Sequence, residues 1–252
     1  MENIRKKSVI SMSGGLDSTC LALSLLSEGY EVKAYAFDYG QKHMIELEKL
    51  QTNINLLQEL SLPITLQVIN LNDVFSDSNS SLKGVGEIPQ AGYDEETMKS
   101  TVVENRNVIF SSIIYGKALS WANKINENVK ITLGIHGGDH ALYPDCTEES
   151  QQAAEHLFKI SNWGSEKVDY DAPFVNYTKA EVLNTGIQSM INLGFDNEVI
   201  DKILANTHSC YDPIGDQSCG RCGTCKERLE AFAANDRVDP INYYTYKNSN
   251  RS

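Results

Sequence analysis

The sequence predicts an α/β protein with a doubly wound, parallel β-sheet. Four short apolar runs have the length and composition of buried strands, and they lie at residues 9–10, 32–37, 63–69 and 129–135. Helical spacing of apolar residues is seen between and after these runs, at 19–26, 44–60, 108–122 and 147–160. Because strands and helices alternate along the chain, we expect the strands to pair in parallel.

A glycine turn joins the first predicted strand to the first helix. Residues 11–18 read Ser-Met-Ser-Gly-Gly-Leu-Asp-Ser. Gly14 and Gly15 allow the backbone to approach a ligand closely, and the following helix directs its unpaired N–H groups toward the turn. Ser13 and Ser18 add hydroxyl donors. These features predict a phosphate site, the alternative being a serine–glycine turn without chemical meaning.

Two common phosphate loops do not fit this turn. A Walker A loop requires Gly-Lys-Ser/Thr after the glycines, and no lysine stands there. A dinucleotide fingerprint requires G-x-G-x-x-G, which is also absent. The turn resembles the SGGxDS signature of the pyrophosphatase-loop (PP-loop) ATP enzymes, which release AMP and pyrophosphate. We therefore assign ATP binding to Ser11, Ser13, Gly14, Gly15, Leu16, Asp17, Ser18 and Phe37.

The composition favours a globular protein that acts on a small substrate. Of the 252 residues, 41% are hydrophobic and 22% are charged, and no apolar stretch reaches the ~20 residues of a membrane span. The chain enters its first strand without room for a signal peptide, so we expect a cytoplasmic protein. Acids outnumber bases by 34 to 22, and a net charge of −12 disfavours binding to nucleic acid.

Polar residues follow the predicted strands at the edge where open α/β sheets bind ligands. Tyr39 and Gln41 follow the second strand and suit an adenine pocket, or form a plain strand-to-helix turn. Arg106 and Asn107 precede a buried helix and either project into the site or serve as a helix cap and a surface arginine. Lys179, at the start of a later helix, could reach a phosphate or be solvated.

The segment after the fourth strand is dense in chemical side chains. His136, Asp139 and His140 suggest either a metal site or hydrogen bonds to a substrate or to the backbone, which is the more common role of loop histidines. Residues 168–177 are predicted to form an extended connection. A helix follows from residue 178, and a short helical region covers 196–206.

Four cysteines cluster near the end of the chain: Cys210, Cys219, Cys222 and Cys225. Four soft ligands without a competing carboxylate predict a closed, structural Zn²⁺ site, whereas the two C-x2-C steps also resemble part of a ferredoxin run. The metal site would hold the helix at 226–233 against the rest of the domain. We expect a catalytic domain at 1–195 with a lid-like insert at 76–100, a zinc-binding segment at 196–235 and a tail at 236–252.

Several separated motifs together resemble one family, the 7-cyano-7-deazaguanine synthases, over roughly residues 8–232. The motifs are the turn at 13–18, Phe-Asp-Tyr-Gly-Gln at 37–41, Arg-Asn at 106–107, Tyr-Pro-Asp-Cys at 143–146, Lys-Ala-Glu at 179–181, and the four cysteines. The resemblance implies a Rossmann-like PP-loop domain of the adenine nucleotide alpha hydrolase-like type, a structural Zn²⁺ and a homodimer.

The resemblance also implies an ATP-dependent carbon–nitrogen ligase. The carboxylate of 7-carboxy-7-deazaguanine would be activated as an adenylate, with Mg²⁺ bridging the phosphates, and ammonia would then give the amide and the nitrile. It implies that Arg106, Asn107 and residues 143–145 face the deazaguanine, and we assign substrate binding to Tyr39, Gln41, Arg106, Asn107, His136, Tyr143 and Asp145. We assign catalysis to Ser13, Asp17, Asp139, His140 and Lys179.

Two segments depart from the family pattern. Glu104 and Asn105 replace a Pro-Gly pair, and Gly-Gly-Asp-His-Ala-Leu at 137–142 replaces Glu-Thr-Asp-Phe-Ser-Gly. We therefore expect activation to survive and nitrile formation to be slow or to stop at the amide. The acceptor would then be an amine on a partner, such as a protein amino terminus, as in relatives from bacterial defence systems. The remaining alternative is an inactive nucleotide sensor, which the intact loop disfavours.

Overall fold

A single five-stranded parallel sheet organises the chain. The computed structural model describes residues 5–41, 45–83, 99, 102–135 and 143–246. The strands are β1 (Lys6–Ser11), β2 (Tyr30–Asp38), β3 (Ile64–Asn70), β4 (Val129–Thr132) and β5 (Val168–Asp171). They lie in the order β3-β2-β1-β4-β5, and every neighbouring pair is parallel. The predicted α/β class with a parallel sheet is confirmed.

Seven α-helices are present in the described part of the chain. They are α1 (Leu16–Ser27), α2 (Ile45–Glu59), α3 (Arg106–Ile125), α4 (Glu148–Ser161), α5 (Lys179–Asn192), α6 (Asn197–Ala205) and α7 (Gly223–Ala234). Each of the predicted helices is present with somewhat different ends. None of the described helices combines the length and the apolar character needed to cross a membrane.

Helices cover both faces of the sheet. Adjacent residues of a strand point to opposite faces, so each strand contributes side chains to two separate cores. Ile10 of β1 belongs to a core that also contains buried residues of α1, α2 and α5 to α7. Its neighbour Val9 belongs to a second core, with Ile114 and Trp121 of α3 and Phe158 of α4. Two cores on opposite faces are the mark of a doubly wound sheet.

The strand order positions the ligand crevice. The chain proceeds outward from β1 through β2 to β3, and then crosses over to β4 on the other side of β1. Ligands of open α/β sheets bind where the strand order reverses, beyond the carboxyl ends of the strands. Here that place is the space beyond β1 and β4, into which the glycine turn at 12–15 opens.

The structure departs from the sequence prediction at the far edge of the sheet. Residues 168–177, expected to be an extended connection, include the strand β5, whose Val168 pairs with Val129 of β4. The strand has only four residues and two of them are acidic, so it lacks the apolar run typical of a buried strand. The predicted fourth strand, 129–135, is shorter than expected and ends at Thr132.

The expected lid-like insert at 76–100 is described only in part. Its beginning folds back on the domain, since Phe75 and Leu82 pack with Val103 in a small apolar cluster. Residues 84–98 and 100 lie outside the described residues. The proposed division of the chain at residues 195 and 235 stays a prediction. Ala231 and Phe232 of α7 pack in the same core as α1 and α5.

Helices α1 and α5 approach each other closely at a glycine. A Cβ on the buried Gly186 would collide with Sγ of Cys20 and would lie 2.8 Å from the Cβ of Cys20. Cys20 is itself fully buried, and burial raises the pKa of its thiol to about 12, so the side chain is a neutral packing group.

We expect Gly186→Ala to lower the free energy of unfolding by about 1–3 kcal/mol, because overpacking forces neighbours off their rotamers. The matched control is Gly116→Ala on α3, where an added Cβ meets no atom within 4 Å. That change should raise stability by roughly 0.5–1 kcal/mol, since it removes a glycine from a helix interior. Urea unfolding of both variants checks this, and equal effects at the two positions would contradict the packing argument.

Candidate functional site

The backbone of the glycine turn is held tightly between two neighbours. Gly14 has φ 87°, a left-handed conformation that favours glycine, and a Cβ there would collide with the backbone carbonyl oxygen of Glu46. On its other side, the backbone N–H of His208 donates to the carbonyl oxygen of Gly14 at 3.0 Å. The turn therefore rests against the first turn of α2 and against the segment that leads to the cysteines.

Serine hydroxyls organise the turn from within. The backbone N–H of Gly15 donates to Oγ of the exposed Ser13 at 3.1 Å, and the N–H of Ser13 donates to Oγ of Ser18 at 3.2 Å. The N-cap of α1 is Gly15, and no side chain caps this helix end. The start of α1 is thus left open to an anionic ligand.

Asp17 and Lys179, 162 residues apart in sequence, form an ion pair beside the turn. The Nζ atom of Lys179 lies 2.6 Å from Oδ2 of Asp17, and the lysine side chain is only 7% exposed. A capping box between Thr178 and Glu181 starts α5 and so positions Lys179 at its first residue. The structure brings these two predicted catalytic residues together at the phosphate turn. Leu16 is fully buried behind it, and Ser11 is the last residue of β1.

A chain of hydrogen bonds links the predicted substrate-binding residues. Nη1 of Arg106 donates to the hydroxyl of Tyr39 at 3.2 Å, and its Nε donates to Oδ1 of Asn107 at 3.3 Å. The amide of Asn107 donates to Oδ2 of Asp145 at 2.7 Å. Tyr143 begins the turn that carries Asp145. Three separate segments of the chain thus converge at one place.

Two residues that are predicted to contact a ligand, Gln41 and Phe37, interact with other groups of the protein. The buried Gln41 donates from Nε2 to the carbonyl of Phe37 at 3.2 Å and accepts from the N–H of Tyr39 at 3.0 Å. The ring of Phe37 stacks on Phe110 with centroids 4.0 Å apart. These contacts shape the turn after β2 and present Tyr39 to Arg106.

Arg106 remains a cation in this half-buried setting. Burial alone would lower the pKa of its guanidinium, but the phenol oxygens of Tyr39 and Tyr211 outweigh that effect and raise the pKa. A fixed cation with planar donors can bind a carbonyl or carboxylate oxygen and can stack on a ring.

The departure at residues 104–105 includes a residue with positive φ. Asn105 has φ 56°, the left-handed region that glycine prefers, and asparagine tolerates this region better than most other residues. Glu104 is exposed, and its Oε2 accepts a hydrogen bond from Oγ of Ser78 at 2.6 Å. The second departure, at 137–142, lies outside the described residues, as do the predicted site residues His136, Asp139 and His140.

Sequence reasoning missed two residues at this site, Glu46 and Tyr211. Glu46 lies in the first turn of α2, and burial raises the pKa of its carboxyl to about 8, although Arg106 opposes the shift. Burial also raises the pKa of Tyr211, whose electrostatic neighbours include Tyr143, Arg106 and Glu46. The available signals were the glutamate three residues after His43 and the tyrosine directly after Cys210, and neither pattern points to chemistry by itself.

The four cysteines form a compact, buried cluster. Their Sγ atoms all lie within 4.8 Å of one another, so Cys210, Cys219, Cys222 and Cys225 could hold a metal ion together. Backbone N–H groups point at the sulfurs: the N–H of Cys219 donates to Cys210 at 3.2 Å, and that of Cys222 donates to Cys219 at 3.3 Å. Such donors stabilise thiolates, the form that binds metal.

A buried ion pair joins the residues after α7 to the cysteine segment. Arg228 donates to both carboxylate oxygens of Asp239, from Nε at 2.7 Å and from Nη2 at 2.9 Å. Its Nη1 donates to Oγ1 of Thr207 at 2.7 Å, and the hydroxyl of Tyr243 donates to Asp239 at 2.6 Å. Residues 239–244, which lie within the predicted tail, are therefore packed against this segment.

Fold and site define the class of protein: a doubly wound α/β protein with a PP-loop nucleotide site and a cysteine cluster suited to a metal. A protein-family model described as queuosine biosynthesis protein QueC matches residues 7–236, nearly the whole chain. The chain belongs to this family, and the resemblance inferred from its motifs is confirmed.

Curated relatives match along the same length. A 7-cyano-7-deazaguanine synthase of Marinomonas sp. (strain MWYL1) is 38% identical over 239 residues, which cover 94% of this chain and 98% of its own. A protein of the same name from Methanoregula boonei is 37% identical and is covered to 99%. Among solved structures, a 4-thiouridine synthetase in complex with RNA and ATP matches at a TM-score of 0.40 and 16% identity, covering 75% of this chain and 43% of its own. A structural similarity this low supports no conclusion about the function of this protein.

We expect Glu46→Gln to stabilise the protein increasingly as the pH rises. The pKa of Glu46 is about 8 in the folded state against an ordinary value of 4.5, so the folded protein retains a proton that the unfolded chain releases between these values. Stability of the wild type therefore falls as pH rises through this window, and the glutamine variant lacks this loss. Urea unfolding at pH 5, 7 and 9 measures the gap, and a gap that does not grow with pH would refute the argument.

Proposed function

We propose that this protein activates the carboxylate of 7-carboxy-7-deazaguanine with ATP as an adenylate, which ammonia converts to the amide with release of AMP. A second ATP would activate the amide oxygen in the same way, and that oxygen would leave with AMP to give the nitrile. The products would include AMP and pyrophosphate. The observation that carries this proposal is the position of the Asp17–Lys179 pair at the open end of α1, on the crevice formed by a doubly wound sheet. The names of the relatives support the choice of substrate.

Different groups of the turn and its neighbours would bind and neutralise the phosphates of ATP. The N–H groups at the start of α1, which no side chain caps, suit the phosphates, and Ser13 offers an exposed hydroxyl beside them. Lys179 would neutralise the departing pyrophosphate, while the ion pair with Asp17 holds the lysine side chain in place. Mg²⁺, when bound, would neutralise charge on the phosphates, and Asp17 is the carboxylate on this turn that suits it.

The deazaguanine would lie against Arg106 and Tyr39. An aromatic ring and a guanidinium plane suit a flat heterocycle, since both can stack on it. The Asn107–Asp145 pair supplies an amide and a carboxylate, which match the donor and acceptor edge of a guanine-like base. Activation is chemically necessary because a carboxylate is a poor electrophile until its oxygen becomes a good leaving group.

A second candidate function is transfer of the activated acid to an amine of a partner, such as a protein amino terminus. The sequence at 137–142 favours it, since this segment lacks the glutamate and serine of the family pattern. The replacement at 104–105 favours it less, because Asn105 keeps the backbone conformation suited to glycine. Mass spectrometry of products formed from ATP, 7-carboxy-7-deazaguanine and ammonia separates the two: rapid nitrile formation supports the first, and arrest at the amide the second. The family resemblance supports a homodimer for either function.

We expect ATP to be cleaved to AMP and pyrophosphate, because the turn lacks the lysine of a Walker A loop. Cleavage should require the carboxylate substrate, because the carboxylate is the group that attacks the α-phosphate. Chromatography of the nucleotide products tests this. ADP as the main product would refute the adenylation proposal, and absence of any cleavage would favour the inactive binding module.

We expect Asp17→Asn to lower pyrophosphate release by at least about 10²-fold, since preorganised charge at a phosphoryl centre is worth this much or more. The same change leaves the buried Lys179 ammonium without its carboxylate, so thermal unfolding should be recorded to verify the fold. Glu149→Gln is the control, because it also removes a carboxylate from the first turn of a helix, at an exposed position on α4. Retention of activity in Asp17→Asn would exclude the assigned role.

We also propose that the cysteine cluster holds one structural Zn²⁺ per chain. Four buried sulfurs and no open ligand position suit zinc in a structural rather than a catalytic role. Cys222→Ser should lower the zinc content and the melting temperature together, because binding energy at such a site is folding energy. Elemental analysis and calorimetry measure both. A brown protein containing iron, or an unchanged melting temperature after chelation, would contradict the proposal.

A further inference from the structure

The short turn Pro144–Cys146, which carries Asp145, is held by a side chain from the helix that follows it. Nε2 of Gln151, near the start of α4, donates to the backbone carbonyl oxygen of Asp145 at 2.7 Å. The helix does not need this bond for its own start, because its N-cap Thr147 already accepts a hydrogen bond from the backbone N–H of Ser150. The Gln151 side chain therefore fixes the turn rather than the helix.

The amide of Gln151 is held in one orientation by β5. Its Oε1 atom accepts a hydrogen bond from the hydroxyl of Tyr170 at 2.6 Å. The backbone carbonyl of Asp145 can only accept, so the amide nitrogen must face Asp145 and the amide oxygen must face Tyr170. Burial raises the pKa of the phenol to about 12, against the opposing effect of the Ser111 hydroxyl, so Tyr170 keeps its proton and donates at neutral pH.

These contacts form a closed network around one edge of the site. Oδ2 of Asp145 accepts from the amide of Asn107, the second residue of α3. Ser111, which interacts with the Tyr170 hydroxyl, lies four residues further along the same helix and thus on the same face. Asp145 is therefore held through its backbone by Gln151 and through its carboxylate by Asn107, and both connections lead to α3.

The location of the Asp145 carboxylate depends on the backbone of its turn. The side chain of aspartate is short, so its carboxylate moves almost as far as its backbone does, and a hydrogen bond tolerates a displacement of only about half an ångström. Other elements position the phosphate site, since Asp17 lies at the start of α1 and Lys179 at the start of α5. A shift of the Asp145 turn should therefore affect recognition of the base more than binding of ATP.

We propose that Gln151 and Tyr170 are positioning residues for recognition of the base, an assignment that rests on the proposed function. Gln151 fixes the turn that carries Asp145, and Tyr170 fixes the amide of Gln151. Neither residue contacts the reacting atoms. Together they set the affinity for the carboxylate substrate and leave the chemistry to the groups at the phosphate turn.

The test compares binding of the two substrates in Gln151→Leu, which removes the amide and keeps a side chain of similar size. The Kd and the KM for 7-carboxy-7-deazaguanine should rise roughly 10-fold, about the value of one hydrogen bond. The KM for ATP and the kcat of pyrophosphate release should stay close to wild type. Gln152→Leu is the matched control: Gln152 is the exposed neighbour that donates to Glu148 on the helix surface, and its loss should change none of these values.

A double-mutant cycle tests whether the two residues act in one chain of contacts. Tyr170→Phe removes only the hydroxyl and should weaken binding of the carboxylate substrate by a smaller factor than Gln151→Leu does. In the Gln151→Leu background the same change should add nothing, because the phenol acts through the amide of Gln151. Calorimetric titration with 7-carboxy-7-deazaguanine measures all four proteins, and thermal unfolding verifies that each is folded. Additive effects would overturn the proposed chain.

Each other outcome has a distinct meaning. If Gln151→Leu lowers the melting temperature but leaves the affinity for the carboxylate substrate unchanged, the residue is structural and the proposal is overturned, while the proposed function stands. If kcat and the affinities for both substrates worsen together, the change disturbs the whole site and the proposal is likewise overturned. If Gln151→Leu does not fold, Tyr170→Phe decides by the same comparison of the two substrates. If the wild type neither binds the carboxylate substrate nor releases pyrophosphate with it, the proposed function is wrong and this assignment falls with it.

Discussion

The close approach of the glycine turn to helix α2 is the constraint on which the site depends. Gly14 can sit against the carbonyl of Glu46 only because it has no side chain and adopts a left-handed conformation. That contact fixes the turn relative to the sheet, and with it the start of α1, where Asp17 meets Lys179. The same contact holds the first turn of α2 beside the uncapped start of α1, so the position of both helices at the turn depends on a single glycine.

The cysteine segment supports the same turn from the opposite side. Within a few residues the chain passes from His208, which holds the carbonyl of Gly14, to the first cysteine and then to Tyr211 beside the pocket. The Arg228–Asp239 pair fastens this segment to residues beyond α7. A buried pair of this kind destabilises strongly when it loses one partner, so it keeps the segment in a single arrangement. A metal in the cluster would therefore act on the nucleotide site through packing, without touching the reactants.

The sequence predicted the sheet, the phosphate turn and the cysteine cluster because each has a local pattern with a physical cause. It did not predict β5, whose four residues pair at a sheet edge and carry two acids. It also did not predict the Asp17–Lys179 ion pair or the burial that raises the pKa of Glu46, since both depend on contacts between distant segments. The ligand contact that a motif suggested for Gln41 stays a prediction, and the structure adds that its amide forms hydrogen bonds with the backbone of the turn after β2.

The two departures from the family pattern are not equivalent in physical terms. At 104–105 the structure needs a residue that tolerates positive φ before α3, and asparagine meets that need, while Glu104 extends to Ser78. Arg106 and Asn107 consequently begin the helix in the orientation that reaches Tyr39 and Asp145. The hydrogen bonds of Arg106 and Asn107 are thus compatible with Glu104 and Asn105 in place of the Pro-Gly pair. Under the proposed function, a changed fate of the activated acid would arise elsewhere, and the segment at 137–142, which replaces two polar groups of the family pattern, is the place where the sequence allows it.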